Sequence, residues 1–330
     1  MQRVASFSLT MKNILFLLTA CLVLLSACRP KKNETLPTPS AELQSLRLGM
    51  MTTLDGLPFY MAKQQGVYDS LGLNLDIVRF NSANDRDAAF QAGQIDGMIT
   101  DYTSAAILES RYHDIALIMG TEGYSCFIVS KESRINRLKE LSRRNVAISH
   151  NTTIEYATEE MLKKAGIPLD ALNLPEIAPI SLRLQMLQYG QVDASFLPEP
   201  YASIAMKGGN KSLISTQELG INFIGTAFSR KSLSEKRREI ELLITGYNVG
   251  VEYIQRHPQK EWEQVLVELG VPENITGLIA LPSYSQASRP SIPDVRKAIR
   301  WLQEKHRIPD HYAETNLIDT TYIQTHNISP

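Results

Sequence analysis

The chain has 330 residues, with 34 Lys+Arg against 35 Asp+Glu, so it is close to neutral. Hydrophobic residues make up 43% and charged residues 21%, which suits a folded globular protein and excludes a basic nucleic-acid binder and a disordered chain. Three cysteines do not make a disulfide scaffold, and the single long apolar run excludes a multi-pass membrane protein.

That run spans Ile14 to Leu25, follows Lys12 and ends in Leu25-Ser26-Ala27-Cys28. A basic start, an apolar stretch shorter than a bilayer span and small residues before a cut describe a secretory signal over residues 1–27, with Met11 as an alternative start. Leu-Ser-Ala-Cys resembles the bacterial lipobox, which makes Cys28 the expected lipidation site and mature N-terminus. Residues 28–44 carry Pro30, Pro37 and Pro39 among polar residues and read as a flexible tether. Cys126 is then the one thiol of the body, expected as a small core residue.

From Ser45 the pattern alternates. Leu46–Met50 reads as a strand, Pro58 to Gly66 as a helix, and Leu75–Phe80 as a strand. Asn84 or Asp85 is expected to cap a helix through Gln91, followed by strand Ile95–Thr100, helix Tyr102–Ser110 and strand Ile115–Gly120. This rhythm predicts an α/β fold with a largely parallel sheet. It then repeats: Gln91-Ala-Gly93-Gln94-Ile95-Asp96-Gly97 is echoed 97 residues later by Gln188-Tyr-Gly190-Gln191-Val192-Asp193-Ala194. Leu46–Leu73 is echoed by Val146–Leu172, where Thr152 and Glu155 read as a capping box, so the body is expected to be a duplicated α/β lobe. Phe223–Ser229 predicts a further strand, Ser234 caps a long helix Glu235–Arg256, and helices follow at Trp262–Leu269 and Pro293–Lys305.

Several segments resemble the nitrate/sulfonate/taurine and thiamine-pyrimidine-precursor branch of periplasmic substrate-binding proteins of ABC importers. They are Asp55-Gly-Leu-Pro58-Phe-Tyr60-Met-Ala62-Lys63-Gln-Gln-Gly66-Val-Tyr68, Asp87-Ala-Ala-Phe-Gln-Ala-Gly93-Gln94-Ile-Asp96-Gly97 and Leu197-Pro198-Glu199-Pro200-Tyr201-Ala202. The resemblance spans most of residues 45–305 and implies the type II periplasmic binding protein fold: two Rossmann-like lobes on a hinge of two crossover strands. Phe127–Lys131 and Ala227–Lys231 suit the crossings. The implied division is lobe one over 45–125, lobe two over 126–223, and a return to lobe one with added C-terminal helices over 224–330. It further implies a monomer outside the cytoplasm that closes on a small molecule and delivers it to a permease and its ATPase, with a lipid holding it to a membrane.

Ligands of open α/β sheets bind beyond the carboxyl ends of the strands, beside helix N-termini. That rule selects Thr53 and Asp55 with Tyr60, Asn81 and Ser82, Asp101 and Tyr102, Tyr124, Asn151, Thr152 and Thr153, and Glu199 with Tyr201. Asp55, Asp101, Glu122 and Glu199 lie in these loops without Lys or Arg, Arg86 being nearby in a helix. Carboxylates beside tyrosines suit a neutral or cationic nitrogenous molecule of the aminopyrimidine kind better than an anion. A sulfonate, taurine or nitrate held by backbone N–H groups is the alternative ligand class. Local roles compete with the binding reading. Asp96 and Asp193 suit turns or strand starts, Asp55 and Thr152 suit helix caps, Tyr60 suits core or cleft, and His306 and His311 suit the surface.

A fold-related enzyme is the rival class. The thiamine-pyrimidine synthases carry a Cys-rich motif that this sequence lacks, and no phosphate loop, His-Glu-x-x-His or Gly-x-Ser-x-Gly appears. A lipoprotein delivering ligand to a separate sensor is the other rival. No enzyme activity, cofactor or metal is expected.

Overall fold

A computed structural model describes residues 43–323. The expected signal, Cys28 and the tether up to residue 42 lie outside the described residues. The chain opens with β1 (Leu46–Met51), helices α1 (Leu57–Gln64) and α2 (Val67–Ser70), β2 (Leu75–Phe80), α3 (Ala83–Gln91), β3 (Gly97–Asp101), α4 (Tyr102–Tyr112) and β4 (Ile115–Gly120). It continues with β5 (Ser125–Val129), β6 (Val146–Ala147), α5 (Thr153–Ala165), α6 (Ile180–Gln188), β7 (Ala194–Pro198), α7 (Tyr201–Lys207) and β8 (Lys211–Ser215). The last part holds β9 (Ile224–Ser229), α8 (Arg230–Glu235), α9 (Arg237–Arg256), α10 (Glu263–Glu268), α11 (Ile292–Glu304) and α12 (Glu314–Leu317).

Two sheets result, ordered β2-β1-β3-β9-β4 and β6-β7-β5-β8. In each, one strand from the far part of the chain runs antiparallel to its neighbours: β9 between β3 and β4, and β5 between β7 and β8. The expectation of a largely parallel sheet therefore holds only outside these two inserted strands. The duplication is visible in the topology. Beside β6 the position of β2 is filled by an irregular edge, where Asn145 and Ile148 form parallel bridges to Asn173 and Glu176. The second edge thus lacks a regular strand, which is why its sequence shows no period of two. This is the type II periplasmic binding protein architecture, two α/β lobes joined through crossing segments.

The repeated acids have a structural task. Asp96 Oδ2 accepts the Arg47 N–H at 2.8 Å just as β1 begins, and Asp193 Oδ2 accepts the Asn145 N–H at 2.8 Å just before β6. Each locks a strand start to the turn before its neighbour. Asp96 is also paired with the Arg47 guanidinium and with Lys236 at 2.9 Å.

Three expected helix boundaries move. Ser82, not Asn84 or Asp85, caps α3: its backbone is extended and its Oγ accepts from Asp85 N at 3.1 Å. The long helix is broken at Lys236, whose backbone leaves the helical region while its ammonium reaches Asp96 and the Ser45 carbonyl. Ser229, rather than Ser234, then caps the short helix before the break. At α5, Thr152 caps as expected, but the Glu155 carboxylate accepts from Asn151 N (2.6 Å) because Asn151 adopts φ 62° and turns its N–H inward.

The C-terminal helices cover the first sheet without strands of their own. Helix α9 lies along α1, burying Tyr247 against Phe59 at a centroid distance of 4.8 Å. Helix α11 packs on α4 and also reaches α5, where Trp301 Nε1 donates to Glu159 at 2.7 Å. A continuous aromatic row runs from Tyr102 through Phe223 and Tyr156 to Trp301, so one core joins both sheets. Cys126 is buried on β5, and burial pushes its thiol up to about 11, which leaves it inert at neutral pH.

Candidate functional site

The loops that follow β1, β3, β6 and β7 converge on a cavity of about 120 Å³ between the two sheets. Its first wall holds Thr53, Leu54 and Asp55 after β1, Ala83 and Arg86 at the start of α3, and Asp101 at the end of β3. The opposite wall holds Ser149, Thr152 and Thr153 at the start of α5, Ile180 and Arg183 on α6, and Glu199 after β7. The crossing segments close the back with Gly123, Tyr124, Asn222 and Phe223. Three bonds tie the two walls together: Thr52 Oγ1 lies 2.6 Å from Tyr201 Oη, Leu54 N donates to the Glu199 carbonyl at 3.1 Å, and Ile180 N donates to the Asn81 carbonyl at 3.2 Å. An enclosed cavity near 150 Å³ holds a benzene ring, so this one, of similar size and partly open, suits a small ring whose substituent extends toward the opening.

Seven expected site residues line this cavity: Thr53, Asp55, Asp101, Tyr124, Thr152, Thr153 and Glu199. The Glu199 side chain is buried, accepting from Ser203 N at 3.2 Å and Ser203 Oγ at 3.0 Å. Burial pushes its carboxyl up, and the Ser203 bonds offset part of the rise. Burial likewise raises Asp55, against the Thr53 hydroxyl that donates to it and the Arg86 charge. Asp101 caps α4, accepting from Ser104 N at 2.8 Å and from the Thr103 hydroxyl. The Thr153 hydroxyl is buried and has no partner among the described residues. Tyr124 is anchored through its hydroxyl to the Ala280 carbonyl at 2.8 Å.

Other expected residues stand behind the wall. Ser82 is spent on capping α3, and Asn81 is exposed, with its carbonyl accepting from Ile180 N. Asn151 shapes the turn before α5. Tyr102 is a core ring, 2% exposed and stacked on Phe223. Tyr60 packs against the first-sheet core, where burial pushes its phenol up to about 12. Tyr201 reaches across to Thr52 instead of into the space. Glu122 is occupied by the Tyr247 and Ser285 hydroxyls and is not on the wall.

Two wall residues lie on helices and not on loops: Arg86, already noted beside the site, and Arg183, which the sequence reading misses, on helices α3 and α6 and each at most 3% exposed. The repeat signals them, because 183 and 86 differ by the same 97 residues as Gly190 and Gly93. Arg86 pairs with Asp87 at 2.8 Å and donates to the Ile99 carbonyl at 3.2 Å. Arg183 donates to the Ile177 and Ala178 carbonyls at 2.7 and 3.0 Å, and burial lowers its guanidinium to about 10, still protonated at neutral pH. The loops themselves carry no Lys or Arg, as expected, and the wall's two cations come from helix positions 97 residues apart, one turn beyond the loops.

The family model described as NMT1/THI5 like matches residues 54–261, well over half of the chain. The chain belongs to the NMT1/THI5-like family. No curated protein sequence matches it. Among solved structures it is similar to the alkanesulfonate-binding protein SsuA from Xanthomonas axonopodis pv. citri bound to MOPS, with a TM-score of 0.73 and 15% identity over 85% of this chain and 100% of that one. The periplasmic aliphatic sulphonate-binding protein SsuA from Escherichia coli gives a TM-score of 0.70 and 16% identity over 86% and 95%. The periplasmic nitrate-binding protein NrtA from Synechocystis PCC 6803 gives 0.69 and 12% over 82% and 83%. At these identities the likeness is one of fold, and it covers both sheets of this NMT1/THI5-like chain.

Proposed function

We propose that this NMT1/THI5-like protein is the solute-binding component of an ABC importer, capturing a small nitrogen-bearing ring of the aminopyrimidine kind and passing it to a permease driven by its ATPase. The observation that carries the reading is the ring-sized cavity itself, walled by both halves and bridged at Thr52–Tyr201 and Leu54–Glu199. A ligand seated there touches both sheets and so favours the closed arrangement. Asp55 and Glu199 are carboxyls whose burial favours the protonated form, and such a group matches an aminopyrimidine edge. The ring nitrogen takes the acid O–H while the exocyclic amine donates to the other oxygen.

In this reading the protein acts as a monomer without a catalytic step or cofactor, and a diacylated Cys28 holds the body to a membrane outside the cytoplasm. One observation favours the alternative, an oxyanion ligand of the sulfonate or nitrate type: the buried Arg183 in the same wall.

A thermal-shift panel on the full chain in detergent tests the reading, with aminopyrimidines, thiamine, polyamines, taurine, alkanesulfonates and nitrate as ligands. A ligand at about 100 times its dissociation constant adds about 2.7 kcal/mol, a rise of roughly 5 °C in a body of this size. A rise with aminopyrimidines is expected; a rise confined to sulfonates or nitrate sinks the nitrogenous ligand.

A further inference from the structure

Arg86 and Arg183 occupy the same place in the two copies of the repeat, on the first turn of α3 and of α6, and both face the cavity. Both use the guanidinium to hold nearby backbone carbonyls, which accounts for an arginine at this position in each copy. The copies differ in what neutralises the charge. In the first, the next residue is Asp87, paired to Arg86 at 2.8 Å. In the second, the equivalent residue is Leu184, and no carboxylate comes within ion-pair distance of Arg183 among the described residues. Glu176 acts on Arg183 only through space and is itself bonded to His150 N at 2.6 Å.

A protonated guanidinium that is 2% exposed and has no counter-ion is unfavourable unless something supplies negative charge. Its Nε is buried without an acceptor among the described residues. On the same wall the Thr153 hydroxyl is buried and unpartnered, at the head of the 13-residue helix α5, whose N-terminus favours an anion. Two side-chain donors with unused capacity, Arg183 Nε and Thr153 Oγ1, thus sit on the wall that also holds Glu199, while Asp55 and Asp101 stand on the other.

We propose that the Arg183–Thr153 side of the cavity is an acid subsite, so that the ligand is amphoteric: a nitrogenous ring toward Asp55 and Glu199, bearing a carboxylate or sulfonate that reaches Arg183. This deepens the binding reading above and rests on it for the ring, but the acid subsite stands or falls separately. Arg86 makes no matching subsite, because Asp87 already neutralises it.

The test is calorimetric titration of the full chain in detergent with three probes: an aminopyrimidine monocarboxylate, the matching neutral carboxamide, and ethanesulfonate. The carboxylate is expected to bind about 10-fold or more tightly than the carboxamide, with Arg183→Gln reducing that preference to about 2-fold or less and Arg183→Lys keeping part of it. Equal or tighter binding of the carboxamide overturns the subsite, as does a preference unchanged in Arg183→Gln. If neither ring binds but ethanesulfonate does, the nitrogenous reading falls. The subsite then stands if Arg183→Gln abolishes that binding and falls if it does not. Should Arg183→Gln fail to fold, the ratio in the unaltered chain and in Arg183→Lys decides.

Discussion

Tyr201 Oη lies 2.6 Å from Thr52 Oγ1, joining a helix that follows β7 in the second sheet to the loop that follows β1 in the first. A bond of this kind exists only when the two halves are together, so it contributes to closure as the ligand does. Removing it with Tyr201→Phe is expected to weaken ligand binding about 5-fold, the effect of a typical net hydrogen bond, with the melting temperature of the empty protein little changed. Thr52→Val should do the same, and the double variant should be no worse than either alone. Small-angle scattering of empty Tyr201→Phe should show a larger radius of gyration. Full affinity in both single variants rejects the role of this bond in closure.

Glu199 carries a pH signature. Its carboxyl is raised by burial above the ordinary range, against the bonds from Ser203. Its contribution to stability is present in full below the carboxyl's unfolded value, about 4.3. As pH rises through the higher folded value that contribution is lost, because the buried group must then ionise. Glu199→Gln keeps the shape and has no proton to lose, with its oxygen placed to accept from Ser203 N and its amide N–H to donate to Ser203 Oγ. The variant should therefore melt higher than the parent at pH 8 and nearly level with it at pH 4, while binding an aminopyrimidine about 10-fold more weakly. A melting difference independent of pH counts against an ionising Glu199.

Much of this arrangement was legible in the chain because it is written locally. The Pro58–Gly66 helix, the strand at Leu75–Phe80 and the Asp96/Asp193 echo each depend on a few neighbouring residues, and each stands where its pattern puts it. The antiparallel insertion of β9 and β5 depends on partners more than 60 residues away, which no local period encodes. Wall residues split in the same way. Thr53, Asp55, Asp101, Thr152 and Glu199 follow from the rule about strand ends. Tyr102 sits at such an end yet turns into the core, since the crossing segment brings Phe223 against it. Arg183 lies on a helix that looks like an ordinary amphipathic cover, and only its echo at Arg86 marks it.

Lys305, directly after α11, pairs with Glu155 at 2.7 Å and Glu159 at 2.5 Å on α5, the helix whose start lines the cavity. Burial raises Glu155, but bonds from Lys305 and Asn151 N outweigh it and leave the carboxyl below its usual range. The stabilisation is therefore present above about pH 4.3 and is lost as pH falls through the lowered folded value. Lys305→Met is expected to remove about 1–3 kcal/mol at pH 7 and to flatten the acid limb of the stability curve. Chemical unfolding at pH 7 and pH 3 reads both effects; equal losses at the two values would contradict the pairing.

The two strand-start acids offer a paired comparison. Asp96 is 7% exposed and holds Arg47, Lys236 and the Arg47 N–H, whereas Asp193 is 19% exposed and holds only Arg144 and the Asn145 N–H. Asp96→Ala should remove about 2–3 kcal/mol and Asp193→Ala about 1 kcal/mol. Denaturant midpoints of the two variants give the ranking directly, and a larger loss at Asp193 would reverse the argument from burial.

Gly250 decides how closely α9 approaches α1. A Cβ at this position would overlap the Pro58 carbonyl oxygen, and a main-chain neighbour at the start of a helix has no rotamer by which to withdraw. Separating the helices would open the contact between Phe59 and Tyr247 and tilt α1, which begins directly after the Thr53–Asp55 wall. Gly250→Ala is therefore expected to remove about 2–4 kcal/mol despite alanine's better helix propensity. Gly277 is the control: nothing lies within 4 Å of a Cβ there, so Gly277→Ala should leave stability within about 0.5 kcal/mol of the parent. Equal midpoints for the two variants in urea would mean that α9 can move away from α1 freely, and the wall formed by Thr53 and Asp55 would then not depend on that packing.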